Sequence, residues 1–195
     1  MAKLYFKYGT MGCSKSMDLL RTAYNYDKLG MKTIILKPEI DTRDVGVVRS
    51  RVGLEMECIT FCKDQDLYKT ITSSTELEGN IDCVLVDEAQ FMEVEQVKQL
   101  WEVVVRLDIP VIAYGLRIDY RGEGFQASKE LLTLAHSIEE IKTVCKCGSK
   151  ATHHLLKVNG EYTFSGDGIH VGDTEFTSVC GKCWNRAKDE AFNGK

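Results

Sequence analysis

Four apolar runs recur between stretches of helical periodicity, and they restrict the fold more than any other feature of the chain. They are LYFKYG (4–9), KTIILKP (32–38), IDCVLVDEAQF (81–91) and IPVIAYG (109–115). The last three are nearly continuous in Val, Ile and Leu, without the alternation of a strand that has one wet face. Such runs read as strands buried on both faces. Between them, residues 15–29 put Leu19, Leu20, Ala23 and Tyr24 on one helix face, and residues 93–107 do the same with Val97, Leu100, Trp101 and Val104. CITF (58–61) reads as a further strand and residues 65–78 as a polar helix. Buried strands alternating with amphipathic helices predict an α/β fold, a parallel sheet flanked by helices. Ligands of such sheets bind beyond the C-terminal ends of the strands.

From about residue 143 the texture changes. Gly148, Gly160, Gly166, Gly168, Gly172 and Gly181 crowd together, and helical periodicity returns only over 184–192. We therefore expect two domains, an α/β domain over 1–143 and a small domain of short strands and loops over 144–195. The Gly-rich, charged stretch RIDYRGEG (117–124) predicts a mobile loop. A net charge of −4 and a pI of about 5.6 argue against a nucleic-acid partner. No apolar run is long enough to span a bilayer. MAKLYFKYG enters a strand at once, so we expect no secretory leader and a cytoplasmic location. There, the eight cysteines read as thiols or metal ligands rather than as a disulfide framework.

Four constellations carry chemistry. The first is YGTMGCSKSMDLL (8–20), in which Gly9, four residues, Ser14, Lys15 and Ser16 follow a strand and open a helix. Backbone N–H groups of such a turn cradle phosphate, the lysine reaches the β- and γ-phosphates, and the hydroxyl holds Mg²⁺. Ser14 stands where such loops carry a second glycine. On the loop alone, Ser14 capping a helix is an equally sound reading. The second is Asp87-Glu88 at the end of CVLV. One acid there faces a metal and the other an acceptor hydroxyl, or both flank the next helix and answer its dipole. With the phosphate loop, the pair points to nucleotide-dependent phosphoryl transfer or hydrolysis on a P-loop-type sheet. The third is Cys145-Lys-Cys147 with Cys180-Gly-Lys-Cys183, a spacing that suits a closed, structural Zn²⁺ site. Four thiolates fill that shell, which leaves His153 and His154 for surface or loop positions. The fourth is Asp41-Thr42-Arg43, either a phosphoryl clamp or a solvated local ion pair.

In their order, the phosphate loop, Asp-Thr-Arg, DEAQF (87–91), GLRIDYRGEGF (115–125) and the paired cysteines resemble the cytosolic, zinc-containing thymidine kinases over nearly the whole chain. The resemblance implies transfer of the γ-phosphoryl of ATP, with Mg²⁺, to the 5′-hydroxyl of thymidine, and of deoxyuridine. It implies a general base at Glu88. It implies ATP contacts at Gly9, Thr10, Met11, Gly12, Cys13, Ser14, Lys15 and Ser16 and at Asp87, Glu88, Ala89 and Gln90. Ser16, Asp41, Arg43 and Asp87 would serve Mg²⁺ and the phosphates. Met11, Leu116, Tyr120, Phe125 and Phe176 would surround the thymidine. The segment between the cysteine pairs would form a lasso over the nucleoside, ending at IHVGDTEF (169–176), stapled by structural Zn²⁺ on Cys145, Cys147, Cys180 and Cys183. A homotetramer and feedback inhibition by dTTP are also implied. The chain departs from the family at Ser14, at the shortened first cysteine pair, and at Phe176, where tyrosine is usual. Two other readings compete. A nucleotide hydrolase would lack the aromatic pair Tyr120 and Phe125, and a zinc-ribbon nucleic-acid binder would carry a basic ribbon.

Overall fold

The computed structural model describes residues 1–41, 46–168 and 175–193. β1 (Leu4–Gly9) leads through the Gly-rich turn into α1 (Lys15–Lys28), and β2 (Thr33–Pro38) follows. Two short strands, β3 (Val47–Arg49) and β4 (Glu55–Glu57), pair antiparallel before β5 (Ile59–Phe61). Then come α2 (Leu67–Glu78), β6 (Cys83–Val86), α3 (Val94–Leu107), β7 (Val111–Gly115), α4 (Gln126–Leu134) and β8 (Ser137–Ile141). The C-terminal part holds β9 (His153–Val158), β10 (Glu161–Thr163), β11 (Glu175–Val179) and α5 (Gly181–Asn193).

The main sheet has the order β5-β2-β6-β7-β1-β8, and every pairing in it is parallel. Its apolar strands bury both faces, as the runs predict. Ile34, Leu36, Val84 and Val86 pack with Ile71, Leu100 and Leu131 of the three helices on one side. Their chain neighbours Ile35, Cys83 and Leu85 pack with Leu19, Leu20 and Ala23 of α1 on the other. Truncating any of the fully buried leucines would cost roughly 2–5 kcal/mol. Parallel strands deliver their ends to one edge. Gly9, Val86 and Gly115 therefore open together onto the region where ligands of such sheets bind.

The structure corrects several expectations. The run 81–91 is a strand only over Cys83–Val86; the chain then turns through Glu88 at φ 48° into a 3₁₀ turn, Ala89–Phe91. Tyr24 and Trp101 are exposed, at 50% and 38%. Each lies one residue, about 100° of helix, beyond a buried neighbour, Ala23 or Leu100, and so past the edge of the apolar stripe. The β3–β4 hairpin, α4 and β8 had no clear sequence signal. β8 is an edge strand whose SIEEI carries two glutamates, a composition that protects an edge but hides its period. Residues 117–124 form a tied turn rather than a loose loop. Buried Asp119 accepts the N–H groups of Arg121 and Glu123, both at 2.9 Å, and Ile118 bridges Gly124.

A second, antiparallel sheet of order β10-β9-β11 carries a small apolar cluster with α5. Its buried members are Cys145, Ala151, Leu155, Val179, Cys180 and Ala187. α5 begins directly after Cys180, earlier than the periodicity over 184–192 suggests.

Candidate active site

The turn from β1 into α1 can be built only with particular backbone freedoms. A Cβ on Gly9 would meet Cys13 Sγ at 2.4 Å and the Ile141 carbonyl oxygen at 2.5 Å, so only glycine fits. Gly12 has φ +75°. Ser14 has φ 70° and ψ 29°, and its side chain makes no capping bond to α1. The capping reading is therefore wrong. The serine occupies the left-handed conformation that the missing glycine would adopt freely, at a cost of about 1 kcal/mol or more. Ser14→Gly is expected to raise stability by about 1 kcal/mol in denaturant titration. It should leave turnover within about tenfold, roughly 1.4 kcal/mol. A larger loss of turnover would give the hydroxyl itself a part in phosphate binding.

Lys15 is buried and folds back over the loop, its Nζ donating to the Thr10 carbonyl at 2.9 Å. Asp18, in the first turn of α1, accepts from Lys7 Nζ at 2.9 Å and from the Tyr114 hydroxyl at 3.1 Å. These bonds fix the helix start to β1 and β7. Thr10 Oγ1 is buried without a hydrogen-bond partner among the described residues. A buried hydroxyl left so costs about 1–3 kcal/mol, an unmet need for an acceptor or donor at this loop.

β6 brings its acids to the same place. Ser16 Oγ donates to Asp87 Oδ2 at 3.1 Å across 71 residues of sequence. Burial first, then the charge of Glu88, pushes the Asp87 carboxyl up to about 7, against the pull of Lys15 and Ser16. A cation between Ser16 and Asp87 would relieve that penalty, so the pair fits Mg²⁺. Glu88 holds its strained left-handed backbone while Gln90 Nε2 donates to its Oε2 at 2.5 Å. The same Gln90 accepts the Leu116 N–H at 2.9 Å through Oε1. One amide thus aligns the acid after β6 with the wall after β7.

A cleft of about 780 Å³ joins these groups. Met11, Gly12, Ser14, Lys15, Ser16, Asp41, Asp87, Glu88, Gln90, Leu116, Tyr120, Phe125 and Phe176 all line it. Gly9, Thr10, Cys13 and Ala89 are buried and do not line it. Arg43 lies outside the described residues, as do 169–174 of the expected lasso end. Asp41 is paired with Lys37 Nζ at 3.2 Å, both nearly buried, so it is not the solvated acid of the local-pair reading. Phe125 meets Phe91 edge to face, with ring centroids 5.9 Å apart.

Sequence reasoning missed several cleft residues. Lys37 gave no signal inside an apolar strand. Arg51 follows the β3 strand, and its Nη1 stands 3.3 Å from where a Cβ on Gly12 would be, directly over the phosphate loop. His154 is the clearest miss. It is buried, not superficial, and its Nε2 accepts the Met11 N–H at 3.0 Å. Tyr120 also differs in role. Its hydroxyl proton is shared between the carbonyls of Ser165 and Asp167, at 3.0 and 2.8 Å, while Trp184 Nε1 donates to the Tyr120 carbonyl at 3.0 Å. The residue ties the C-terminal segment to the cleft as well as presenting a ring to it.

The four C-terminal cysteines converge. Their Sγ atoms all lie within 4.8 Å of one another, and Cys147 Sγ is 3.5 Å from Cys180 Sγ. Tetrahedral Zn–S bonds of about 2.3 Å require sulfurs about 3.8 Å apart, so the set fits Zn²⁺. Hydrogen bonds, from the Ser149 side chain first, draw the Cys147 thiol down to about 6, while those from Cys180 and Cys147 push Cys183 up to about 12; all four must be thiolates to bind the metal.

The family model described as Thymidine kinase matches residues 2–184. A thymidine kinase of Rhodopirellula baltica is 44% identical over 198 residues, covering 97% of this chain and 93% of its own. One of Rhizobium etli is 44% identical over 197 residues, covering 100% and 96%. One of Enterobacteria phage T4 is 44% identical over 188 residues, covering 95% and 96%.

Proposed function

The chain belongs to the thymidine kinase family, and from that premise we propose how its residues divide the work. It is a kinase that phosphorylates thymidine, with ATP as the phosphoryl donor. The attacking group is the nucleoside 5′-hydroxyl, and the product is dTMP. Glu88 accepts the hydroxyl proton as the oxygen attacks the γ-phosphorus and ADP departs. Lys15 and the loop N–H groups hold the phosphates. Ser16 and Asp87 would hold Mg²⁺, which when bound neutralises charge on the transferring group. Asp41, which lines the cleft, and Arg43 are assigned to the phosphates. Met11, Leu116, Tyr120, Phe125 and Phe176 enclose the nucleoside.

The observation that carries this reading is the meeting of Ser16 and Asp87 at 3.1 Å, with Glu88 next in the chain and on the same cleft. Residues 144–195 act as a lid on the 1–143 domain, and Zn²⁺ on Cys145, Cys147, Cys180 and Cys183 would staple it. A closed lid excludes water and so suppresses hydrolysis of ATP. We propose dTTP as a feedback inhibitor, because it carries both a thymine for the pocket and a triphosphate for the loop. Homotetramer assembly is proposed too. Exposed Trp101 and Val105, one turn apart on α3, supply an apolar pair for a subunit contact. A cytoplasmic location belongs to the same reading; no described helix is long and apolar enough to cross a membrane.

A nucleoside panel with ATP and Mg²⁺ tests the assignment. Thymidine and deoxyuridine are expected to be phosphorylated, with ATP turnover depending on the nucleoside. Equal turnover without any nucleoside would return the hydrolase reading.

A further inference from the structure

Both peptide groups flanking Met11 are held by the second sheet. His154 Nε2 accepts the Met11 N–H at 3.0 Å, and Ser178 Oγ donates to the Met11 carbonyl at 2.6 Å. His154 and Ser178 are direct cross-strand partners on β9 and β11, so their side chains project from one face of the sheet. The ladder itself is made by main-chain pairing and does not need either side chain. The imidazole is 2% exposed. Burial first, then the charge of Lys15, lowers it to about 4, which keeps the ring neutral and its Nε2 lone pair available. The ring also hydrogen-bonds the Asp119 backbone, next to the Tyr120 that ties down residues 165–167. With Nε2 accepting, the ring proton sits on Nδ1.

We propose that His154 and Ser178 are positioning residues, a latch that fixes the main chain of Met11 and thereby aims its side chain into the nucleoside pocket when the lid is seated. This inference rests on the reading of Met11 as a wall of that pocket. With both adjacent peptide planes fixed, the Cα–Cβ direction of Met11 is fixed too. An otherwise flexible thioether then presents a defined surface to the base. The Met11 N–H is thereby committed to the lid, and phosphate is left to the N–H groups further along the loop. The latch thus links lid seating to nucleoside binding more than to the phosphates.

Steady-state kinetics on the full chain decide the matter. Ser178→Ala and His154→Ala are each expected to raise the thymidine KM by about three- to tenfold, the scale of one lost neutral hydrogen bond. The ATP KM and kcat should stay within about threefold of wild type. His154→Gln keeps an acceptor oxygen and is expected to recover most of the His154→Ala loss. The double variant Ser178→Ala, His154→Ala should lose less than the product of the single effects, because both act on one residue. If His154→Ala lowers the thermal midpoint sharply, Ser178→Ala and His154→Gln carry the test. Met11→Ala separates the latch from the pocket. If it raises the thymidine KM while the latch variants match wild type, the latch is overturned and the pocket stands. If it too leaves KM unchanged, the pocket reading falls and takes the latch with it. A fall in kcat at constant KM in the latch variants would also overturn the proposal.

Discussion

Glu88→Gln is expected to lower thymidine turnover by at least about 100-fold, roughly 2.7 kcal/mol of barrier, while ATP still binds. The substitution is a clean one in this setting. Glutamine keeps the length of the side chain and an oxygen to accept the Gln90 Nε2 donor, so the local bonding survives. What is lost is the ability to take a proton from a hydroxyl. The backbone offers a second argument. A glutamate at φ 48° costs about 1–3 kcal/mol, and such strain persists where surrounding contacts over-determine it. Here those contacts are Asp87 beneath the phosphate loop and Gln90 tied to Leu116. Steady-state kcat together with titration of ATP binding checks the result. A near-normal kcat would remove Glu88 from the role of base.

Much of this was legible in the sequence because the signals were local. Buried parallel strands announce themselves as Val/Ile/Leu runs, and a phosphate loop is a contiguous string. Cysteine pairs advertise a metal through spacing alone. What stayed hidden depended on distance or on exposure. The whole run 81–91 read as one strand, because Asp87 to Phe91 continue an apolar-looking stretch while their backbone turns away. Of the two readings that Ser14 left open, the cap fails, because the φ of the serine has the wrong sign for one. His154 carries no local signal. Its partner is Met11, 143 residues away, and no spacing rule connects the two. Lys37 and Arg51 reach the cleft only because β2 and the β3–β4 hairpin fold toward it.

Removing one cysteine ligand should unfasten the lid. Cys145→Ser is expected to lose zinc and to reduce thymidine-dependent turnover by about 100-fold or more, with the phosphate loop still able to bind ATP. The small core explains the size of the effect. Of its six buried members, two are cysteines of the proposed metal site and two are alanines, leaving Leu155 and Val179 as the larger apolar groups. Burying such side chains yields about 1.5–3 kcal/mol each. Ordering the backbone costs about 1–2 kcal/mol per residue, so the second sheet cannot hold itself on apolar burial alone. Four thiolates on one ion would offset that deficit. Two residues that tie the lid to the cleft are close by in the chain. Ser178 stands two residues before Cys180, and Trp184, which holds the Tyr120 carbonyl, stands one after Cys183. Loss of the staple would therefore loosen these two ties together, along with those made by His154 and by residues 165–167. Metal analysis and limited proteolysis of the variant test this, and a chelator on the wild-type protein should reproduce it. Unchanged zinc content would sink the four-cysteine assignment. Zinc loss with an intact, protease-resistant lid would sink the claim that the metal is what holds it.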